Sequence, residues 1–82
     1  MRLTLTKHFH RQYRKLPVDA QIEVRHALNK LRDGHGRRKK ILSKPGIYEC
    51  RVTQDLRLLW KIVKIHGDKR IQVRAVVTHD AM

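Results

Sequence analysis

The sequence has little cysteine, proline or acid, and each shortage excludes something. Cysteine occurs once in 82 residues, as Cys50. A lone thiol closes no internal disulfide, which suits a reducing compartment and leaves packing and hydrogen bonding to hold the fold. No apolar run approaches the ~20 residues that a membrane-spanning helix needs. The opening stretch, residues 1–7, is too short and too polar for a signal peptide, so a cytoplasmic location is expected. The two prolines, Pro17 and Pro45, and the four glycines fall between patterned segments. There is no repeat and no linker, and one domain over residues 1–82 is expected. A chain of this length buries roughly 60 % of its unfolded surface, so its core is thin.

Acid is the scarcest class relative to its opposite. Seven Asp and Glu face twenty Lys and Arg, a formal net charge of +13 with pI near 11.0. Such an excess points to nucleic acid or an acidic protein as partner. The 40 % hydrophobic content argues against a disordered basic tail. The chain reads as a folded cationic domain.

The patterning predicts the order β-α-α-β-β-β. Leu3 and Leu5 alternate with Arg2 and Thr4, which predicts a first strand. Thr6 can cap a helix from Lys7, in which Phe9, Tyr13 and Leu16 form one apolar stripe. Pro17 ends that helix and can open the next. There Val24, Ala27, Leu28 and Leu31 line one side, with Ile22 at its edge, until Gly34 stops the helix. A basic run follows, Arg37, Arg38, Lys39 and Lys40, then an apolar pair, Ile41 and Leu42, that can pair briefly with an edge. Lys44, Pro45 and Gly46 make a turn.

Residues 48–62 organise the rest as two strands around the polar turn Thr53-Gln54-Asp55. Tyr48, Cys50 and Val52 alternate with Glu49 and Arg51. Leu56, Leu58, Trp60 and Ile62 alternate with Arg57, Leu59 and Lys61. Side chains switch faces at each strand residue, so Glu49, Arg51, Arg57 and Lys61 are expected on one open face. After a turn at 66–69, Ile71, Val73, Ala75 and Val77 are expected on the apolar face of a last strand. That leaves Gln72, Arg74, Val76 and Thr78 on the other, with Arg74 among the open-face charges. The fold class is α+β, an antiparallel sheet packed on an N-terminal helical hairpin.

The six histidines lack the spacing of a zinc site, and neither metal nor cofactor is expected. Cys50 and Trp60 read as core. The basic run at 37–40, with Lys44, can contact phosphates without reading sequence. His79 follows the last strand, where it can reach over the open face, and histidine suits proton transfer near neutrality.

Phe9-x-x-x-Tyr13-x-Lys15-Leu16-Pro17, then Pro45-Gly46-Ile47-Tyr48-Glu49-Cys50-Arg51-Val52, then Leu56-Arg57-Leu58-Leu59-Trp60-Lys61-Ile62, ending Val77-Thr78-His79-Asp80, resembles the RelE/ParE toxin superfamily of bacterial type II toxin–antitoxin modules. The likeness covers nearly the whole chain and rests on the order of these segments. It implies a small antiparallel sheet backed by an N-terminal helical hairpin. RelE-like members are metal-independent endoribonucleases that cleave mRNA in the ribosomal A site, whereas ParE-like members poison DNA gyrase. By this resemblance Arg57 would contact the scissile phosphate, His79 would be the general acid and Glu49 the base. Arg51 and Lys61 would be secondary phosphate contacts. A cognate antitoxin would be one partner, the ribosome with its mRNA the other.

The implied chemistry suits these residue types. RNA can be cut by its own 2′-hydroxyl, given a base, a cation for the phosphorane and an acid for the leaving oxygen. A ribosome-dependent endoribonuclease toxin is therefore the leading expectation. Arg57→Ala is expected to abolish cleavage without unfolding the domain. A gyrase inhibitor and a non-catalytic basic nucleic-acid-binding module are the alternatives.

Overall fold

A computed structural model describes residues 2–34 and 45–78, together with the backbone of 39–40. Its elements are β1 (Arg2–Leu5), α1 (Lys7–Arg14), α2 (Val18–Arg32), β2 (Lys39–Lys40), β3 (Tyr48–Arg51), β4 (Leu56–Ile65) and β5 (Asp68–Thr78). The strands form one sheet in the order β1-β5-β4-β3-β2. Both helices cover one face.

The helical hairpin forms where the apolar stripes predict it. Thr6 caps α1, its hydroxyl accepting from the Phe9 amide at 3.1 Å. Phe9 is buried against Trp60, Leu58, Ile71 and Val73, together with Val24, Ala27 and Leu31 of α2. Lys15 and Leu16 lie beyond the last helical turn, and Pro17 precedes α2. The Gln21 amide nitrogen donates to the carbonyls of Tyr13 and Leu16 at 3.1 and 3.3 Å. It thus supplies a donor to the Leu16 carbonyl beyond the end of α1 and adds a second to the Tyr13 carbonyl, which already accepts from the Leu16 amide at 3.1 Å. Gly34 follows α2 at φ 81°, the left-handed conformation that lets a helix end.

The sheet core is the alternating set on its covered face. Cys50, Leu58, Trp60, Ile71 and Val73 are all buried, and Tyr48 stacks on Trp60 with ring centroids 4.6 Å apart. Burial pushes the Cys50 thiol above its ordinary value of 9.0, because desolvation disfavours the thiolate.

The sheet departs from the expected one in two ways. It is mixed, because β1 runs parallel to β5, pairing Leu3 with Ile71 and Leu5 with Val73; the β2–β3, β3–β4 and β4–β5 pairs are antiparallel. Four alternating residues predict a strand but carry no direction. The second departure is a bulge. Leu59 pairs with Ala75 and Trp60 with Val73, so Arg74 is an extra residue in β5. Every side chain after it changes face. Val76 joins the core, and Ala75 and Val77 turn to the open face, the reverse of the expected assignment. Ile41 and Leu42 lie outside the described residues; the short pairing at that edge is made by Lys39 and Lys40, opposite Glu49 and Tyr48.

The helices also fasten the edge of β5. Beyond Val73, β5 has no β1 partner, and there the Gln12 side-chain oxygen accepts from the Val76 amide at 2.9 Å.

Candidate nucleic-acid interface

The bulge and the cap of α1 meet. The Thr6 hydroxyl, besides capping Phe9, donates to the Arg74 carbonyl at 3.1 Å, and the Thr6 amide donates to Val73 at 3.1 Å. This pins the first turn of α1 to the sheet edge and brings His8 beside Arg74. A groove of about 470 Å³ opens there on the uncovered face. Leu59, Ala75, Ile47 and Pro45 give it an apolar floor, and Lys61, Arg74 and His8 supply its polar rim. Ala75 reaches the floor only because of the bulge.

The sequence pattern gives His8, Ile47 and Pro45 no part in the site: Pro45 reads there as a turn residue, and Ile47 only as part of a segment that carries the family resemblance. Helical spacing leaves His8 merely off the apolar stripe, and only the capping contact with the bulge carries it to the groove. The rim residues Lys61 and Arg74 are where the alternation places them.

One register row along, Glu49 lies opposite Leu59, and Arg51 lies opposite Arg57. Glu49 and Arg57 are therefore diagonal neighbours on the open face, and they close an ion pair. Arg57 Nε donates to Glu49 Oε1 at 2.9 Å. Arg57 Nη1 donates to the carbonyls of Thr53 at 2.8 Å and Leu56 at 3.1 Å, with a longer approach to Gln54 at 3.4 Å. The Thr53 hydroxyl accepts from the Asp55 and Leu56 amides at 3.2 and 3.1 Å, which holds the turn for the guanidinium to cap.

Only 11 % of the Arg57 side-chain surface and 14 % of that of Glu49 remain open. This corrects the expectation that Arg57 can be removed without disturbing the fold. Open-face parity puts it on the right side of the sheet, but its guanidinium holds the β3–β4 turn together. Arg57 Nη2 and Glu49 Oε2 nevertheless have no hydrogen-bond partner among the described residues. Arg51 is exposed beside the pair.

Arg37, Arg38, Lys44 and His79 lie outside the described residues, and of Lys39 and Lys40 only the backbone is described. Among the described residues, no three of His, Cys, Asp and Glu come together as metal ligands, and no helix is long and apolar enough to cross a membrane.

No family model and no curated relative matches the sequence. Solved structures do match the fold. The YoeB dimer from Staphylococcus aureus superposes with a TM-score of 0.71 at 15 % identity, over 96 % of this chain and 97 % of that one. The archaeal RelE–RelB complex from Pyrococcus horikoshii OT3 gives 0.71 at 15 % identity, over 99 % and 97 %. A YoeB/ParE toxin from Agrobacterium tumefaciens gives 0.69 at 16 % identity, over 96 % and 99 %. At these identities the likeness speaks for architecture. The fold of this chain is that of the RelE/YoeB/ParE toxin superfamily, the one its sequence resembles.

Proposed function

We propose that the protein is the toxin of a type II toxin–antitoxin module and acts as a metal-independent endoribonuclease on mRNA at the ribosome. The observation that carries this reading is the open face itself. It joins an apolar-floored, cation-rimmed groove to an ion pair whose Arg57 Nη2 and Glu49 Oε2 have no partner among the described residues.

The residues suit strand scission by the RNA's own 2′-hydroxyl. Glu49 Oε2 is the group to take the hydroxyl proton. Arg57 Nη2 is the donor for the phosphate oxygens as charge builds on the phosphorane, with Arg51, Lys61 and Arg74 as further cations. His79 is the candidate acid for the leaving 5′-oxygen, as the family resemblance implies. The basic residues Arg37, Arg38, Lys39, Lys40 and Lys44 add phosphate contacts. General acid–base help is worth ~10²–10⁴-fold, so such an enzyme depends on its substrate being held in line. The ribosome would do this. The RelE–RelB structures, in which an antitoxin accompanies the toxin, support a cognate antitoxin as the second partner.

Lys61→Ala with Arg74→Ala tests the groove without touching the Arg57 turn. Added to a translation extract, wild-type protein should cut mRNA and the double variant should cut it far more slowly at equal folded concentration. Intact mRNA with wild-type protein would sink the reading. Inhibition of DNA supercoiling in the same preparation would favour gyrase instead.

A further inference from the structure

The strongest charge pattern in the described residues lies away from the groove, on the outer face of α1. Lys7, His10, Arg11 and Arg14 are all exposed and line a shallow concavity of about 300 Å³. Their spacing, i, i+3, i+4 and i+7, is one stripe of an α-helix, about 10 Å long at 1.5 Å per residue.

This arrangement works against the helix that carries it. The first turn holds Lys7 and no acid, although a helix N-terminus favours negative charge. Lys7 and Arg11 are like charges at i, i+4, a destabilising spacing. Solubility alone would be served by mixed signs, as on the outer part of α2, where Asp19 and Glu23 accompany Arg25 and Lys30. Cations concentrated against local stability point to an anion outside the protein.

We propose that the outer face of α1 is a second docking surface, for the phosphate backbone of duplex RNA. The large aromatic residues of α1 point away from it: Phe9 is buried, and Tyr13 packs against the core and stacks on Phe9 at 6.0 Å, so the one exposed ring of α1 on this face is the His10 imidazole, edge-on to Phe9 at 6.1 Å. A single strand is held by successive bases stacked on exposed aromatics, and one imidazole among three cations makes no such row. A rigid stripe of cations instead suits the fixed phosphate rows of a duplex, recognised by shape rather than sequence. The choice of RNA over DNA rests on the function proposed above; the choice of a duplex backbone does not.

The test is binding of a fluorescent RNA hairpin across a salt series, with single-stranded RNA and a DNA duplex of equal length alongside. The variant is Lys7→Gln/Arg11→Gln/Arg14→Gln, with helix content checked by circular dichroism. A control removes three exposed cations elsewhere, Arg25→Gln/Lys30→Gln/Lys64→Gln. The α1 variant should bind the hairpin at least tenfold more weakly, and its slope of log K against log salt should be shallower by about 2 to 3. The control should lose less than threefold. Arg11→Lys/Arg14→Lys should retain binding, since a phosphate contact needs charge rather than a base-specific fork.

Equal losses in the α1 and control variants would overturn the proposal, as would single-stranded RNA binding as tightly as the hairpin. A DNA duplex or an acidic peptide binding more tightly than the hairpin would also overturn it. The groove reading fails separately, in the cleavage of mRNA by protein with α1 intact.

Discussion

Arg57→Ala should destabilise the fold as strongly as a core truncation, even though Arg57 sits on the open face. Its guanidinium has Glu49 as an ion-pair partner at 2.9 Å and caps carbonyls of the β3–β4 turn. Removing one member of a buried ion pair costs about 3–5 kcal/mol, because the remaining charge is left poorly solvated. With 11 % and 14 % of the two side chains open, water relieves part of this, so about 3 kcal/mol is the working figure. Losing the turn's hydrogen bonds adds about 1 kcal/mol. A chain of 82 residues has roughly 4–12 kcal/mol in total, so the variant loses a large share of it. In a thermal melt its midpoint should fall by about 12 °C or more. Glu49→Ala/Arg57→Ala should be less destabilised than the sum of the single variants by about 1–3 kcal/mol, since no orphaned carboxylate remains. A midpoint within about 4 °C of wild type for Arg57→Ala would refute the structural role assigned to the pair.

Three further outcomes follow from local geometry. Gln12→Ala should cost about 1–3 kcal/mol in chemical denaturation by leaving the Val76 amide unpaired, whereas Gln12→Glu should recover most of it. Gly67 closes the β4–β5 hairpin at φ 79°, next to His66 at φ 51°, so Gly67→Ala should cost about 1 kcal/mol or more, measured the same way. Cys50 has its thiol pKa raised by burial, so the folded state retains a proton that the unfolded chain gives up. Its contribution to stability is whole below the ordinary value of 9.0 and is lost as pH rises toward the folded value; wild type should therefore lose more stability than Cys50→Ala between pH 8 and about 10.

Much of the fold is legible in the alternation of residues. Tyr48, Cys50, Leu58 and Trp60 fall on one face because strand side chains alternate, and the hairpin stripe of Phe9, Val24, Ala27 and Leu31 follows the helical period. What the pattern could not carry is the consequence of one inserted residue. Ala75, Val76 and Val77 are all apolar, so no polar position marks where β5 changes face at Arg74. The ion pair was hidden for a related reason: Glu49 and Arg57 share a face by parity, but their contact depends on the register that pairs Glu49 with Leu59. The groove is the least legible part, since His8 reaches it only through a Thr6 hydroxyl bonded to the bulge.

The most direct test of the proposed function is primer extension on a defined mRNA in a translation extract, with and without ribosomes. Wild-type protein should produce new 5′ ends within the coding region only when ribosomes are present and without added metal beyond what the extract needs. Lys61→Ala/Arg74→Ala should greatly reduce those ends. Full-length mRNA at wild-type concentrations that halt translation in the extract, or equal cleavage by the groove variant, would contradict the account.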